Sequence, residues 1–180
     1  MTHFLMNALT IFVLVLGTAL SGAYAESPVS DQDQTIQVIS YNVQFLPAPA
    51  SAMNKRAEPD YRAGRIGDEM AGFDIVALQE TFEDKHRQQI IDQVATVWGD
   101  ALQSLASPKS PKQLFNGGCL LLTRFRIVES HSVVFKHFSK PEDYGYLADG
   151  FAAKGVIHAR LALDPKNPER CIDVFVTHLE

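Results

Sequence analysis

The chain has few cysteines and no excess of basic residues, and each shortage excludes a class of protein. Its two cysteines, Cys119 and Cys171, are too few for a disulfide framework, and both lie in apolar runs typical of buried thiols. In an exported protein they could still form one bridge. Lys and Arg total 16 against 21 Asp and Glu, which gives a net charge of −5 over 180 residues. This balance argues against a protein that binds nucleic acid through a broad basic face, although a metal ion can offset local negative charge in a nuclease.

The motifs of several common enzyme classes are missing as well. The sequence has no glycine-rich phosphate loop, no G-x-S-x-G elbow and no histidine spacing typical of a zinc site. Internal repeats, coiled-coil heptads and long low-complexity tracts are also absent. We assign no chemistry to His86, which we place on the polar face of a helix. The same holds for His131, His137 and His158, which we place on strands, exposed or paired across strands.

The first 25 residues predict a targeting segment. Ala8 to Leu16 is almost unbroken apolar sequence, and Ala23-Tyr24-Ala25 resembles a signal-peptidase site. Lys and Arg are absent before the apolar run, so an uncleaved membrane anchor over residues 4–20 is the alternative. We expect a signal peptide at 1–25, a secreted or periplasmic protein, and a disordered polar lead-in at 26–34.

The remaining residues mix helical and strand patterns. Two segments have helical spacing, Tyr61–Ala71 and Glu83–Trp98, and the second places Ile90, Ile91, Val94 and Val97 on one face. Apolar or alternating runs predict strands at 35–43, 73–78, 101–105, 119–123, 127–138, 151–163 and 172–176, with a turn at 164–170. The later strands follow one another without helices between them. We therefore predict an α/β (α+β) protein with a mixed, largely antiparallel sheet.

Three of these strands run into polar residues that can act on a phosphate or a metal ion: Asn42, Glu80 and His178. A carboxylate at Glu80 suits Mg²⁺, which takes oxygen ligands. The amide of Asn42 can donate to a phosphate or accept from a metal-bound water, and the imidazole of His178 can donate to a phosphate or move a proton. Each also fits an ordinary role: Asn42 as a turn residue, Glu80 as an acidic residue before a helix, and His178 as a structural histidine. Together they indicate a metal-assisted hydrolytic site.

Four short motifs, in this order, resemble the endonuclease/exonuclease/phosphatase superfamily with its DNase I-like fold. They are Ser40 to Val43 (SYNV), Asp74 to Thr81 (DIVALQET), Gly117 to Phe125 (GGCLLLTRF) and Val176 to Leu179 (VTHL). The resemblance covers residues 35–180 and implies a four-layer αββα sandwich. It also implies that Glu80 binds Mg²⁺ or another divalent cation, that Asn42 belongs to the metal site and is catalytic, and that His178 is catalytic and contacts the scissile phosphate.

Within that superfamily the sequence is similar to secreted bacterial and neutral sphingomyelinases. Phe45-Leu46-Pro47 follows the asparagine motif as in that branch, and Arg62 to Ile66 resembles its helix before the glutamate strand. Asp149 and Lys154 resemble a paired aspartate and lysine of neutral sphingomyelinases, which implies a substrate-binding role; a solvated loop charge and a strand-edge lysine are the alternative. The resemblance implies a Mg²⁺-dependent phosphodiesterase that cleaves sphingomyelin, a phospholipid at a membrane surface, into ceramide and phosphocholine.

The sequence departs from the superfamily pattern after His178. The family continues to an Asp-x-Asn pair and a later Asp-His pair, which supplies the general base, and neither occurs before Glu180. We therefore interpret 35–180 as a partial domain that lacks the C-terminal part of the fold, and we expect this fragment alone to be nearly inactive. The alternatives are an exported DNase I-like nuclease, another phosphodiesterase or phosphatase of this fold, and a secreted, degenerate binding domain. We infer no obligate protein partner.

Overall fold

Two β-sheets pack face to face, and a pair of helices covers the outer side of one of them. The computed structural model describes residues 13–17, 35–47, 51, 57–140, 142 and 149–179. Its elements, in chain order, are β1 (Val13–Gly17), β2 (Val38–Phe45), α1 (Pro59–Met70), β3 (Ile75–Thr81), α2 (Asp84–Trp98), β4 (Gln103–Ala106), β5 (Leu120–Thr123), β6 (Arg126–Val134), β7 (Gly155–Asp164) and β8 (Asn167–Thr177). Short 3-10 turns occupy Gly99–Ala101 and Asp149–Phe151.

The first sheet has the strand order β2-β3-β5-β4, and the second has the order β1-β8-β7-β6. β2 and β3 are parallel and are connected through α1, whereas every other neighbouring pair is antiparallel. This confirms the predicted mixed, largely antiparallel arrangement. The described residues form three layers, helices, sheet and sheet, which agrees with an incomplete αββα sandwich.

Two hydrophobic cores separate these layers. The helix–sheet core consists of Val43, Phe45, Ala63, Met70, Val76, Leu78, Ile90, Val94, Leu120 and Leu122. The inter-sheet core consists of Ile75, Ala77, Cys119, Leu121, Ile157, Ala159, Leu161, Ile172, Val174 and Val176.

β3, like β5, contributes to both cores. Val76 and Leu78 belong to the helix–sheet core, whereas Ile75 and Ala77 belong to the inter-sheet core, and all four are fully buried. Successive side chains of a strand point to opposite faces, so a strand buried on both sides is apolar at every position. This explains the continuous apolar run in the sequence. β3 extends past the predicted end at residue 78 and includes Glu80.

Both predicted helices are confirmed, and none of their ends differs from the prediction by more than two residues. Ile90 and Val94 are buried as expected, but the prediction for Val97 is wrong because its side chain is 66% exposed. Val97 lies in the last turn of α2, where Trp98 packs against the helix–sheet core instead. The indole Nε1 of Trp98 donates to the carbonyl of Ala71 at 3.0 Å.

His86 connects the first turns of the two helices. Its predicted position on the polar face of a helix is wrong. His86 is buried, with Nε2 at 3.0 Å from Oδ1 of Asp60 and Nδ1 at 2.8 Å from Oε2 of Glu83. Its ring stacks on Phe45 at 4.9 Å. Hydrogen bonds from Lys85 and then His86 hold the pKa of Asp60 below its usual value. His86 therefore joins the start of both helices to the end of β2.

Several strand ends differ from the sequence prediction because of tight connections. The predicted turn at 164–170 shrinks to Pro165 and Lys166, since Asp164 and Asn167 already pair across the hairpin. β6 ends at Val134, and β7 begins at residue 155 because 149–151 forms a 3-10 turn. The predicted strand positions of His131 and His158 are confirmed, since the two residues pair across β6 and β7 and their rings stack at 5.9 Å. The predicted strand position of His137 is wrong, because it follows the end of β6.

Cys119 and Cys171 are not joined by a disulfide. Cys119 lies in the inter-sheet core, and burial raises the pKa of its thiol to about 11. Cys171 precedes Ile172, which faces the inter-sheet core, so strand alternation directs Cys171 to the opposite face of the second sheet. The two sulfur atoms therefore lie on different sides of that sheet.

Part of the predicted signal peptide takes part in the second sheet. Residues 13–17 form β1, in which Val13 lies opposite Val176 and Gly17 opposite Ile172 of β8. The rest of 1–25 and the lead-in at 26–34 lie outside the described residues, so the signal peptide and its cleavage stay predictions. Among the described residues, no helix has the length and apolar character needed to cross a membrane.

The dual burial of β3 generates a stability prediction. Leu78 is fully buried in the helix–sheet core, so we expect Leu78→Ala to lower the free energy of unfolding by about 2–5 kcal/mol. The control is Leu114→Ala, because Leu114 is 76% exposed and its truncation should change stability by less than about 0.5 kcal/mol. Urea unfolding followed by circular dichroism measures both. Equal costs for the two variants would contradict this placement of β3.

Candidate functional site

The ends of β2, β3 and β8 bring Asn42, Glu80 and His178 together. Nδ2 of Asn42 donates to Oε1 of Glu80 at 2.7 Å, and Nε2 of His178 lies 3.8 Å from the same oxygen. β2 and β3 are parallel neighbours, so their carboxyl ends reach the same edge of the first sheet, and β8 arrives there from the second sheet. The structure thus places the three predicted side chains in one cluster. Their chemical roles remain predictions.

The backbone around Asn42 and Glu80 is distorted. Glu80 has a φ of 59° and Gln44 a φ of 56°, both in the left-handed region, and the pairing of β2 with β3 shifts register between Asn42 and Phe45. A non-glycine residue in this region costs about 1–3 kcal/mol, and such strain is typical of functional sites. The amide oxygen of Asn42 accepts from the backbone nitrogen of Gln44 at 3.0 Å. Asn42 therefore has two roles: it stabilises the irregular backbone after residue 42, and it orients the carboxylate of Glu80.

His178 has a second partner on the side away from Glu80. Nζ of Lys154 lies 3.2 Å from Nδ1 of His178, within hydrogen-bonding distance, and both side chains are buried. Nζ also lies 5.9 Å from the ring centroid of Phe82, a cation–π contact. The structure therefore brings Lys154 into the cluster, directly behind the imidazole.

A wall beside this cluster is formed by Phe82, Asn116 and Gly118, for which the sequence predicts no individual role. Nδ2 of Asn116 donates to the carbonyl of Phe82 at 3.2 Å, and its Oδ1 accepts from the backbone nitrogen of Gly118 at 2.7 Å. Gly118 has a φ of 72°. The Asn-Gly-Gly turn is visible in the sequence, but no local pattern connects it with an aromatic residue 34 or more positions earlier.

A cavity of about 430 Å³ opens beside Phe82. Apolar and charged side chains share its lining: Pro47, Phe82, Glu83, Asp84, Lys85, Lys109, Leu114, Phe115 and Asn116. The charged members already have partners, since Lys85 contacts Asp60 and Asp84 contacts both Arg87 and Lys109.

Asp149, predicted to act with Lys154, is described only through its backbone. It opens the 3-10 turn Asp149–Phe151, whose last carbonyl accepts from the backbone nitrogen of Phe115 at 2.9 Å. The nitrogen of Ala153 in turn donates to the carbonyl of Phe115 at 2.9 Å. The side chain of Asp149 lies outside the described part of the structure, so its substrate-binding role stays a prediction.

The oxygen donors at the cluster can be compared with the needs of a divalent cation. Among the described residues, no group of three or more His, Cys, Asp or Glu side chains could hold a metal ion. Glu80 supplies one carboxylate, and the amide oxygen of Asn42 keeps one lone pair beyond its bond to Gln44. Mg²⁺ is commonly held by one or two carboxylates, with water and substrate oxygens in the other positions. This donor set fits Mg²⁺ held in that way.

Comparison with solved structures finds the same fold in several proteins. SmcL matches with a TM-score of 0.58 and 16% identity, over 79% of this chain and 47% of its own. A Staphylococcus aureus beta toxin variant with bound magnesium ions matches at 0.55 and 17%, over 71% of this chain and 45% of its own. Sphingomyelinase C from Streptomyces griseocarneus matches at 0.54 and 19%, over 72% and 45%.

These likenesses confirm the predicted DNase I-like fold and its similarity to sphingomyelinases, and at such low identity they concern the fold alone. The chain spans about half the length of the structures that it matches. No model of a protein family matches the sequence, and no curated protein matches it.

The contact between Gly118 and Phe82 generates a prediction about the wall of the site. A Cβ added at Gly118 would lie 2.7 Å from Cζ of Phe82, so Gly118→Ala must displace the ring that lies against Lys154. We expect a steric cost of about 1–3 kcal/mol in addition to backbone strain. The steric part should disappear in a Phe82→Ala background, which a double-mutant cycle of urea unfolding measures.

The matched control for this cycle is Gly99→Ala. Gly99 also has a positive φ, of 52°, but a Cβ there would have nothing within 4 Å. The loss of stability in Gly99→Ala should therefore come from backbone strain alone, and it should show no coupling to Phe82→Ala. Equal coupling energies for the two glycines would contradict the close packing at Gly118.

Proposed function

We propose that the protein is a Mg²⁺-dependent phosphodiesterase that hydrolyses sphingomyelin to ceramide and phosphocholine. The observation that carries the proposal is the cluster of Asn42, Glu80 and His178 at the strand ends of a fold shared with a sphingomyelinase C. A hydrolase acting on phospholipid head groups at a membrane surface would also suit the predicted secreted or periplasmic location. The beta toxin structure with bound magnesium ions supports the choice of metal.

Glu80 and the amide oxygen of Asn42 would hold the cation, which when bound polarises a phosphate oxygen and stabilises the departing alkoxide. The hydrogen bond from Nδ2 of Asn42 fixes the rotamer of Glu80. The carboxylate is therefore already ordered for metal binding before the substrate arrives. Nε2 of His178 faces the same space and would donate to a non-bridging phosphate oxygen as negative charge grows there. Water would attack phosphorus and lose a proton, the bond from phosphorus to the ceramide oxygen would break, and that oxygen would take up one proton, so the proton lost by the water balances the proton gained by ceramide.

The charges of the described cluster favour an anionic substrate. Glu80 carries one negative charge, and the ammonium of Lys154 lies on the far side of His178. A divalent cation added to this set would leave a positive site, which attracts a phosphodiester more strongly than a neutral ester. This balance supports a phosphodiester as the substrate class.

The test is an assay of the full-length protein on sphingomyelin vesicles with Mg²⁺, measuring released phosphocholine. We expect Glu80→Gln to lower the rate by about 100-fold or more, since even partners of metal ligands are worth about 10–100-fold. Removal of the cation with EDTA should abolish activity, and added Mg²⁺ should restore it. The control is Glu69→Gln, because Glu69 is 67% exposed and lies on α1.

Equal rates for wild type and Glu80→Gln would refute the metal-ligand role. A parallel assay on DNA separates the alternative substrate class. Cleavage of DNA without phosphocholine release would favour an exported nuclease of this fold. No cleavage of either substrate would refute both of these activities and favour another phosphodiesterase or phosphatase of this fold, or a binding domain.

A further inference from the structure

We propose that Asn116 is a positioning residue that stabilises a β-bulge at Glu80 and thereby directs the Glu80 carboxylate towards the second sheet. The proposal deepens the proposed function and rests on it for the meaning of this carboxylate as a metal ligand. The observation behind it is that both ends of the Asn116 amide bind backbone groups beside the bulge. Nδ2 donates to the carbonyl of Phe82, and Oδ1 accepts from the nitrogen of Gly118.

The bulge is visible in the pairing of β3 with β5. These strands are antiparallel, and Leu78 lies opposite Leu120. If this register continued, Thr81 would pair with the residue before Gly118, but its backbone nitrogen donates to the carbonyl of Gly118 itself at 2.8 Å. Between these two contacts β3 therefore has two residues and β5 has one, which defines a β-bulge. Glu80 is the second residue of the bulge and is left-handed, with a φ of 59°.

The bulge changes the direction in which Glu80 points. Successive side chains of a strand alternate between its faces, so a regular β3 would direct Glu80 to the helix–sheet core, as it does Val76 and Leu78. Oε1 of Glu80 instead lies 3.8 Å from Nε2 of His178, which follows a strand of the second sheet. Bulges often re-aim a side chain in this way. The cluster of Asn42, Glu80 and His178 therefore depends on the bulge.

Four hydrogen bonds hold the chain directly after Glu80 against the turn that precedes β5. Both the backbone nitrogen and Oγ1 of Thr81 donate to the carbonyl of Gly118, at 2.8 and 3.0 Å. Asn116 supplies the other two, to Phe82 at 3.2 Å and from Gly118 at 2.7 Å. The side chains of Asn116 and Thr81 are buried. A left-handed glutamate persists only where its surroundings over-determine it, and these bonds supply that constraint.

The test compares Asn116→Leu with a control that loses the same kinds of bond at the other end of β5. Leucine has the branched shape of asparagine but neither donates nor accepts through its side chain. The control is Thr123→Val. Oγ1 of Thr123 donates to the carbonyl of Asp74 at 3.3 Å and accepts from the nitrogen of Phe125 at 3.1 Å, and its side chain is fully buried. Each variant thus removes one donated and one accepted bond, and urea unfolding measures the stability that each one loses.

Amide hydrogen exchange of the metal-free, full-length protein measures the bulge directly. The amide of Thr81 is bonded across the bulge to Gly118, so we expect Asn116→Leu to raise its exchange rate by about 5-fold or more. Thr123→Val should leave this rate unchanged within about twofold, because it loosens the opposite end of the strand pair.

Titration with Mg²⁺ alone, followed through the amide signals of Glu80 and Thr81 in ¹H–¹⁵N spectra, measures the effect on the metal site. We expect Asn116→Leu to weaken Mg²⁺ binding about 10-fold, as for other residues that orient metal ligands, and Thr123→Val to leave it unchanged. Thr81→Val, which loses the hydroxyl bond but keeps the shape, should weaken binding by a smaller factor. Thr81→Ser, which keeps the hydroxyl, should restore the wild-type affinity.

Three results would overturn the proposal. The first is unchanged exchange of the Thr81 amide in Asn116→Leu, and the second is an equal increase in Asn116→Leu and Thr123→Val. The third is a raised KM with unchanged Mg²⁺ affinity, which would make Asn116 a substrate contact in the cavity that it lines. If Asn116→Leu fails to fold, the comparison of Thr81→Val with Thr81→Ser tests the same contacts, and equal Mg²⁺ affinities for these two would overturn the proposal as well.

The outcomes keep this inference separate from the proposed function. An inactive wild type in which Asn116→Leu has the expected effects on exchange and Mg²⁺ affinity would refute the phosphodiesterase and still support the role of Asn116. An active wild type in which Asn116→Leu leaves the exchange of Thr81 unchanged would support the phosphodiesterase and refute the inference.

Discussion

The hydrogen bond from Nδ2 of Asn42 to Oε1 of Glu80 is the interaction on which the geometry of the candidate site depends. It joins the ends of two parallel strands and orients a carboxylate whose own backbone is left-handed. A hydrogen bond to a charged group is worth about 1.5–3 kcal/mol. Ordering a glutamate side chain costs up to about 2 kcal/mol of rotamer entropy. The energy of this hydrogen bond is therefore similar to the entropy cost of ordering the side chain, so the bond can hold Glu80 in one rotamer. Without it, Glu80 would sample several rotamers.

The helical side of the first sheet maintains the strand end that carries Asn42. Arg62 of α1 donates to the carbonyl of Val43, and its guanidinium lies 4.8 Å from the ring centroid of Phe45. His86 also stacks on Phe45, with the ring centroids 4.9 Å apart. The bulge after Asn42 is thus fixed by the two helices as well as by the neighbouring strand. This is why the helix pair contributes to the site although its charged side chains lie outside the cluster.

The sequence predicts the parts of this arrangement that depend on local pattern. A strand buried on both faces must be apolar throughout, so β3 and the position of Glu80 at its end are visible in the sequence. The pairing of His86 with Asp60 and Glu83 is not, because an isolated polar residue on a helix looks the same whether it faces water or a carboxylate from another helix. The contact of Phe82 with Lys154 likewise joins residues 72 positions apart, and no periodicity records it. The motif resemblance identifies Lys154, but only the fold shows that its ammonium lies at Nδ1 of His178, whereas Glu80 lies at Nε2.

The two halves of the cluster stand on different sheets, and this has a consequence for how the site is maintained. Asn42 and Glu80 are fixed within the first sheet, whereas Lys154 and His178 belong to the segment before β7 and the end of β8 in the second. The distance between these pairs is set by the inter-sheet core, through residues such as Ala77 of β3, and by the contacts of Lys154 with Phe82 and of Ala153 with Phe115. Changes in that core should therefore alter the 3.8 Å separation of Nε2 and Oε1 while leaving the bond between Asn42 and Glu80 intact. Protein interiors transmit such shifts because they are close-packed, so buried residues outside the cluster help to set the distance between the imidazole of His178 and the carboxylate of Glu80.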